Sequence, residues 1–122
     1  MTPHKLLIMD HDLQTRKKLR SSIVGHGYNV MEAGNGEEAL QLAKVGSRPI
    51  DLLISDIIMP KMGGQELSNR ILEICSNIKI LHMSGYTDTP QPPEQKYPEI
   101  KRLQKPFTLE ALATTVRQVL DH

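Results

Sequence analysis

Residues 52–64 read LLISDIIMPKMGG. The apolar run over residues 50–55, which overlaps the start of this stretch, decides the fold class. From residue 50 to residue 55 the side chains are apolar almost without alternation, which is typical of a strand buried on both faces of a parallel sheet. The run ends on a charged residue, Asp56, and a Met-Pro pair follows closely. The stretch therefore predicts a buried parallel strand with a carboxylate at its end.

Strand and helix patterns alternate along the rest of the chain. The other predicted strands are KLLIM (5–9), YNVMEA (28–33), IKILHMS (78–84) and IKRLQ (100–104). Apolar residues at helical spacing predict helices within 12–27, 35–46, 64–75 and 108–120. Such alternation with short connections requires parallel pairing and right-handed crossovers. We therefore predict an α/β fold, a doubly wound five-stranded parallel sheet with helices on both faces.

Composition limits the class of protein. The 122 residues are 39% hydrophobic and 24% charged, which predicts one domain over residues 1–122. A formal net charge of +1 gives no reason to expect direct binding of nucleic acid or of an anionic membrane. The single Cys75 cannot form an internal disulfide, and no apolar run is long enough for a membrane span. We expect a cytoplasmic protein.

The ends of the predicted strands carry the candidate functional residues. In doubly wound sheets the site lies at the carboxyl ends of the strands. The residues found there are Asp10, His11, Asp12, Asp56, Ser84 and Lys105. Crowded carboxylates need a cation, and Mg²⁺ suits them. Beside it Asp56 would be a nucleophile toward a phosphoryl group, while Lys105 and the Ser84 hydroxyl would contact phosphoryl oxygens.

Four motifs, in order and spacing, resemble the response-regulator receiver domain of two-component signalling. They are LLIMDHD (6–12), LLISDIIMPKMGG (52–64), ILHMSGYTD (80–88) and LQKPF (103–107), and the wording of the last two is most similar to receivers of hybrid sensor histidine kinases. The resemblance implies a flavodoxin-like fold and phosphotransfer from a phosphohistidine to Asp56. The partner would be a sensor histidine kinase or a histidine phosphotransfer domain.

The resemblance also implies the site roles. Mg²⁺ would be held by the acidic pocket at Asp10, by Asp56 and by the backbone carbonyl of Ile58, while Lys105 and Ser84 would read the phosphoryl group. Such a domain is not an enzyme in the usual sense, because it catalyses only its own phosphotransfer and slow dephosphorylation.

Three features depart from the family pattern. His11 stands where a second acid usually binds the metal, which favours softer ions such as Mn²⁺ over Mg²⁺. Arg102 stands where the fifth strand usually carries a switch aromatic. Prolines at positions 90, 92, 93 and 98 predict that the fourth helix, between the fourth and fifth strands, is short or absent. We therefore expect a monomer in isolation.

Several alternatives stay open at this stage. His11 is either a metal ligand or a free surface imidazole, whereas Asp12 is best interpreted as a helix cap. A nucleotide- or flavin-binding enzyme would need a Gly-rich or hydroxyl-rich loop after the first strand, and MDHDLQTRK (9–17) offers none. A pseudo-receiver, which binds proteins without being phosphorylated, tolerates both His11 and Arg102. Asp56, Ser84 and Lys105 argue against it.

Overall fold

The computed structural model describes residues 3–45, 49–57, 62–84 and 101–121. Within these ranges, strands and helices alternate from β1 to β4 as the sequence predicts, and β5 and the last helix follow after residues 85–100, which are not described. The strands are β1 (Lys5–Met9), β2 (Asn29–Ala33), β3 (Leu52–Asp56), β4 (Lys79–Ser84) and β5 (Lys101–Gln104). The helices are α1 (Leu13–Val24), α2 (Gly36–Lys44), α3 (Gly64–Ile74) and α4 (Leu109–Asp121).

The five strands form one parallel sheet in the order β2-β1-β3-β4-β5. This arrangement confirms the predicted doubly wound fold. The strand order reverses beside β1, because the chain moves outward to β2 and then returns to place β3 on the other side of β1. The carboxyl ends of β1 and β3 therefore meet at the switch point, where α/β sheets of this kind bind their ligands.

Apolar side chains cover both faces of the sheet. All five residues of β3 are buried, as the unbroken apolar run predicts. On one face, Leu53 packs with residues of α2 and α3. On the other face, Leu52 and Ile54 pack with residues of α1 and α4. Burial on both sides holds the carboxyl end of β3 in place, and with it Asp56.

Polar side chains fix where three helices begin. Asp12 accepts a hydrogen bond from the Gln14 amide, which confirms its interpretation as the cap of α1. Asn35 caps α2 by accepting from the Glu38 amide, and Thr108 accepts from the Ala111 amide at the start of α4. The cap of α1 sits directly behind β1, so it also fixes the turn that carries Asp10 and His11.

Two apolar residues lie farther out than their helical spacing predicts. Leu109 is 49% exposed although it begins the predicted apolar stripe of the last helix, and Ile74 is 38% exposed at the end of α3. Both occupy terminal turns of their helices. The predicted short or missing helix between β4 and β5 falls on residues 85–100, outside the described ranges. No helix within those ranges has the length and apolar character that crossing a membrane requires.

Candidate functional site

Asp56 and Lys105 form the centre of the site. Asp56 is the last residue of β3 and its side chain is 8% exposed. The ammonium nitrogen of Lys105, just beyond β5, lies 2.7 Å from Oδ1 of Asp56. Lys105 is held by its own backbone as well, since its amide donates to the carbonyl of Ser84 at 2.6 Å. The structure thus brings together two of the residues that the sequence assigns to one edge.

The carboxyl group of Asp56 has an unusual environment. Burial raises its pKa to about 6, the nearby Lys105 opposes the rise, and the neighbouring carboxyl group of Asp10 adds to it. Two carboxylates are therefore held close together with one ammonium group beside them. An additional positive charge would favour the ionised form of Asp56.

Ser84 lies between the two strands that carry Asp56 and Lys105. It ends β4, is 8% exposed, and stands one position beyond Met83, which pairs with Asp56 across the sheet. On its other side Ser84 pairs with Gln104, the residue before Lys105. The strand order therefore places its hydroxyl at the predicted edge.

Asp10 is almost fully buried, at 1% exposure, in the turn after β1. Its Oδ1 accepts a hydrogen bond from the Asp12 amide at 2.9 Å. Its Oδ2 is buried without a hydrogen-bond partner among the described residues. Arg16 holds the same turn by donating from Nη1 to the Asp10 carbonyl at 2.6 Å. The sequence analysis did not identify Arg16 as a site residue. The available signal was a basic residue in the first turns of the helix that follows the acidic turn.

His11 and Asp12 take different roles. Nδ1 of His11 lies 3.8 Å from Oδ1 of Asp10, and the His11 side chain is 56% exposed. Asp10, His11 and Asp56 each offer one ligand atom, and these atoms all lie within 4.8 Å of one another. Asp12 instead turns to its helix, where the hydrogen bond from Thr15 lowers the pKa of its carboxyl group. Ile58, whose carbonyl the resemblance assigns to the metal, lies outside the described residues.

The start of α3 is pressed against the backbone of the site. Gly64 donates its amide to the Ile57 carbonyl at 2.7 Å, and a Cβ at position 64 would collide with the carbonyl oxygen of Asp56. Only glycine permits this close approach. The preceding residue, Gly63, has room for a Cβ.

A buried polar pair next to the site was not foreseen from the sequence. The hydroxyl of Ser68 donates to the Gly64 carbonyl at 2.7 Å and lies 2.8 Å from Nε2 of His82. Burial, assisted by the charge of Arg102, lowers the pKa of His82 to about 4. The two residues lie on separate elements, fourteen positions apart, so no local motif could have revealed their contact.

The donor set fits a divalent cation. Among the described residues, Oδ2 of Asp10 is buried without a hydrogen-bond partner, and such an oxygen is costly unless a proton or a cation satisfies it. A second buried carboxylate and an imidazole nitrogen stand beside it. Carboxylate oxygens are the ligands that hard divalent cations prefer. The same edge carries the ammonium group of Lys105, so the arrangement suits chemistry on a phosphoryl group.

Comparison with known proteins agrees with this geometry. The sequence profile of the response regulator receiver domain matches residues 6–117. The chain is 33% identical over 120 residues to the sensor kinase CckA of Brucella abortus (strain 2308), covering 95% of this chain and 12% of that protein. It is 32% identical over 117 residues to the response regulator receiver protein CpdR of the same organism, covering 95% of this chain and 96% of CpdR.

A solved structure gives the same result. The crystal structure of the receiver domain from the hybrid histidine kinase CckA superposes with a TM-score of 0.81 and 31% identity, over 95% of this chain and 98% of that one. Because the chain spans 12% of the sensor kinase but 96% of CpdR, the relatives include both a part of a long kinase and a short receiver protein. The chain belongs to the response regulator receiver family of two-component signalling.

Proposed function

We propose that residues 1–122 act as one phosphoacceptor domain. Its Asp56 accepts a phosphoryl group from a phosphohistidine of a partner protein. The observation that carries this proposal is the ion pair between Lys105 and Asp56 at 2.7 Å, next to the buried carboxylate of Asp10. In the transfer, an Asp56 oxygen attacks phosphorus, and the P–O bond forms as the P–N bond of the donor breaks. The electron pair of the breaking P–N bond goes to the imidazole nitrogen of the donor, which takes up a proton.

Lys105 and Ser84 would bind the transferred group. The ammonium of Lys105 already lies at hydrogen-bond distance from the acceptor carboxylate, so it would contact a phosphoryl oxygen once the group is in place. The hydroxyl of Ser84, at the end of the adjacent strand, would donate to another oxygen. A shift of Ser84 toward the phosphoryl group is the conformational switch that we propose.

Asp10, His11 and Asp56 would hold a divalent cation, Mg²⁺ or Mn²⁺, with the carbonyl of Ile58 as the further ligand that the family resemblance assigns. Oδ2 of Asp10, which no hydrogen-bond donor in the described part of the chain reaches, supports this assignment. When bound, such a cation offsets the negative charge on the phosphoryl oxygens. We further propose that the domain catalyses only its own phosphotransfer and slow hydrolysis of the acyl phosphate.

The proposed partner is a sensor histidine kinase or a histidine phosphotransfer domain. A groove beside the site is lined by Lys18 and Leu19 of α1 and by Lys105, Phe107 and Leu109. Leu13, at the start of α1, is 52% exposed near the same edge. A groove that joins apolar and basic side chains next to the acceptor suits a helix that presents a phosphohistidine. We propose that the isolated domain is monomeric.

Treatment with acetyl phosphate and a divalent metal tests the proposal. Intact-mass analysis should show the addition of one phosphoryl group, which the Asp56→Asn protein should not gain. Asp121→Asn, which removes an exposed carboxylate at the end of α4, is the matched control and should be phosphorylated normally. A wild-type protein that stays unmodified with every phosphodonor and metal would favour a phosphorylation-independent interaction module instead.

A further inference from the structure

The pocket beside Asp56 contains a nitrogen donor. Among the described residues, Asp10, His11 and Asp56 form a group whose ligand atoms all lie within 4.8 Å of one another. Bonds of about 2.1 Å place two ligands of one ion up to about 4.2 Å apart. Because the His11 side chain is 56% exposed, it has room for the small rotation that would close the difference. The pocket therefore offers two carboxylates and one imidazole to a single ion.

A second observation points independently to a bound cation. Oδ2 of Asp10 is buried, and no hydrogen-bond donor reaches it within the described ranges. The other oxygen, Oδ1, accepts from the Asp12 amide, and the backbone carbonyl of the residue is held by Arg16. Hydrogen bonds therefore hold Oδ1 and the backbone carbonyl of Asp10, whereas Oδ2 has no partner among the described residues. An oxygen fixed in this way is prepared to bind a metal.

One of the three donors is a nitrogen in place of a charged oxygen, which makes the pocket less suitable for Mg²⁺ than a set of three carboxylates. Two carboxylates, Asp10 and Asp56, stand against one ammonium, Lys105, and the imidazole of His11 adds no negative charge when it is a ligand. Mg²⁺ demands oxygen ligands and gives up its water reluctantly, so it depends on negative charge. Imidazole suits ions of the later first transition row, whose affinity for nitrogen and oxygen ligands rises from Mn²⁺ to Co²⁺ and beyond.

We propose that this pocket selects a divalent transition metal over Mg²⁺ and that the His11 imidazole nitrogen is one of its ligands. The inference rests on the cation site of the proposed function and specifies which ions that site takes. Its consequence is that phosphorylation of Asp56 is supported by transition-metal ions at concentrations too low for Mg²⁺ to act.

The test compares metal affinities of the metal-free protein and three variants. Calorimetric titrations with Mg²⁺, Mn²⁺ and Co²⁺ give the affinities, and visible absorption of the Co²⁺ protein reports a nitrogen ligand directly. His11→Asp supplies an all-oxygen pocket, His11→Gln removes the nitrogen without adding charge, and His26→Ala removes an exposed histidine elsewhere. The measurements need no phosphodonor.

The expected result is a reversal of selectivity. His11→Asp should bind Mg²⁺ at least about tenfold more tightly and Co²⁺ about tenfold more weakly than the wild type. His11→Gln should lose Co²⁺ affinity without gaining Mg²⁺ affinity, and His26→Ala should match the wild type. Unchanged Co²⁺ affinity and absorption in both His11 variants would overturn the proposal.

The experiments distinguish failure of the proposed phosphoacceptor function from failure of the proposed metal selectivity. If acetyl phosphate never modifies Asp56 with any of the three ions, the proposed function is wrong, yet the reversal of metal affinities would still support His11 as a ligand. If Asp56 is modified equally well at equal low concentrations of Mg²⁺ and Mn²⁺ and the affinities do not differ, the selectivity is wrong while the function stands.

Discussion

The ammonium of Lys105 lies 2.7 Å from Oδ1 of Asp56, so an ion pair joins the ends of β5 and β3 across the intervening strand β4. Ser84, at the end of β4, lies between the two strands that this pair connects. Loss of the Lys105 ammonium group would leave the Asp56 carboxylate without the positive charge that faces it. The contact is therefore the first target for mutation.

Lys105→Ala should slow phosphorylation of Asp56 by about a hundredfold, because a positioned positive charge near the phosphoryl oxygens is lost. The substitution should also raise the pKa of Asp56, since Lys105 lowers it. Rates with acetyl phosphate, followed by intact mass, measure the first effect. Lys101→Ala, which removes the exposed lysine at the start of β5, is the control. Equal rates for the two variants would remove Lys105 from the mechanism.

Gly64→Ala should destabilise the fold by about 2 kcal/mol, because the new Cβ would collide with the Asp56 carbonyl and the start of α3 would have to move. Gly63→Ala is the matched control, since its nearest neighbour would lie at an ordinary 3.5 Å. Urea unfolding followed by circular dichroism compares the two. Equal midpoints would show that α3 is not seated against β3 in this way.

Arg16→Gln should weaken Mn²⁺ binding by at least about tenfold, because the hydrogen bond that holds the Asp10 carbonyl is lost. Arg20→Gln provides the comparison. Both arginines bind Glu32, but Arg20 has no contact with Asp10 among the described hydrogen bonds. Titrations that follow free Mn²⁺ by electron paramagnetic resonance measure the affinities. A similar loss in both variants would assign the effect to Glu32 and β2 instead.

His82 should make stability depend on pH. Its pKa is about 4 in the folded protein, below the ordinary value of 6.5, so above pH 6.5 it is neutral in both states. As the pH falls from 6.5 to 4, the unfolded chain gains a proton that the folded chain resists, because the ring is buried beside Ser68 and faces the charge of Arg102. The contribution of His82 to stability should then fall by about 3 kcal/mol over the full range, while the raised pKa of Asp56 acts in the opposite direction.

The variant His82→Leu isolates this effect. It removes the titrating ring, while the Ser68 hydroxyl keeps its bond to the Gly64 carbonyl. Urea unfolding at a series of pH values should show the wild type losing about 3 kcal/mol of stability relative to the variant between pH 6.5 and 4. Parallel curves for the two proteins would mean that His82 does not titrate in this range.

The fold was predictable because its signals are local. The unbroken apolar run of β3, the cap at Asp12 and the helical spacing of α4 each lie within a few residues, and their order determines a parallel sheet. The sheet-edge rule then brought Asp56 and Lys105 together correctly without any contact being known. Exposure at helix ends was predicted less well, as Leu109 shows, since spacing alone does not reveal how much of a terminal turn the rest of the fold covers.

Contacts between distant positions were not predictable. The pairing of Ser68 with His82 and the bond from Arg16 to the Asp10 carbonyl depend on how a helix is placed over the sheet. A single sequence has no local pattern for either contact. The same holds for the unpartnered oxygen of Asp10, which is a property of the assembled pocket.

Chemical mapping of the phosphorylated residue tests the central claim most directly. Borohydride reduces an acyl phosphate to an alcohol, so an aspartyl phosphate becomes homoserine and peptide masses locate it. After treatment with acetyl phosphate and Mn²⁺, we expect homoserine at position 56 and nowhere else, and none in the Asp56→Asn protein. Homoserine at another aspartate of the wild type, or no reducible group in a protein that has gained a phosphoryl mass, would contradict the assignment of Asp56 as the acceptor.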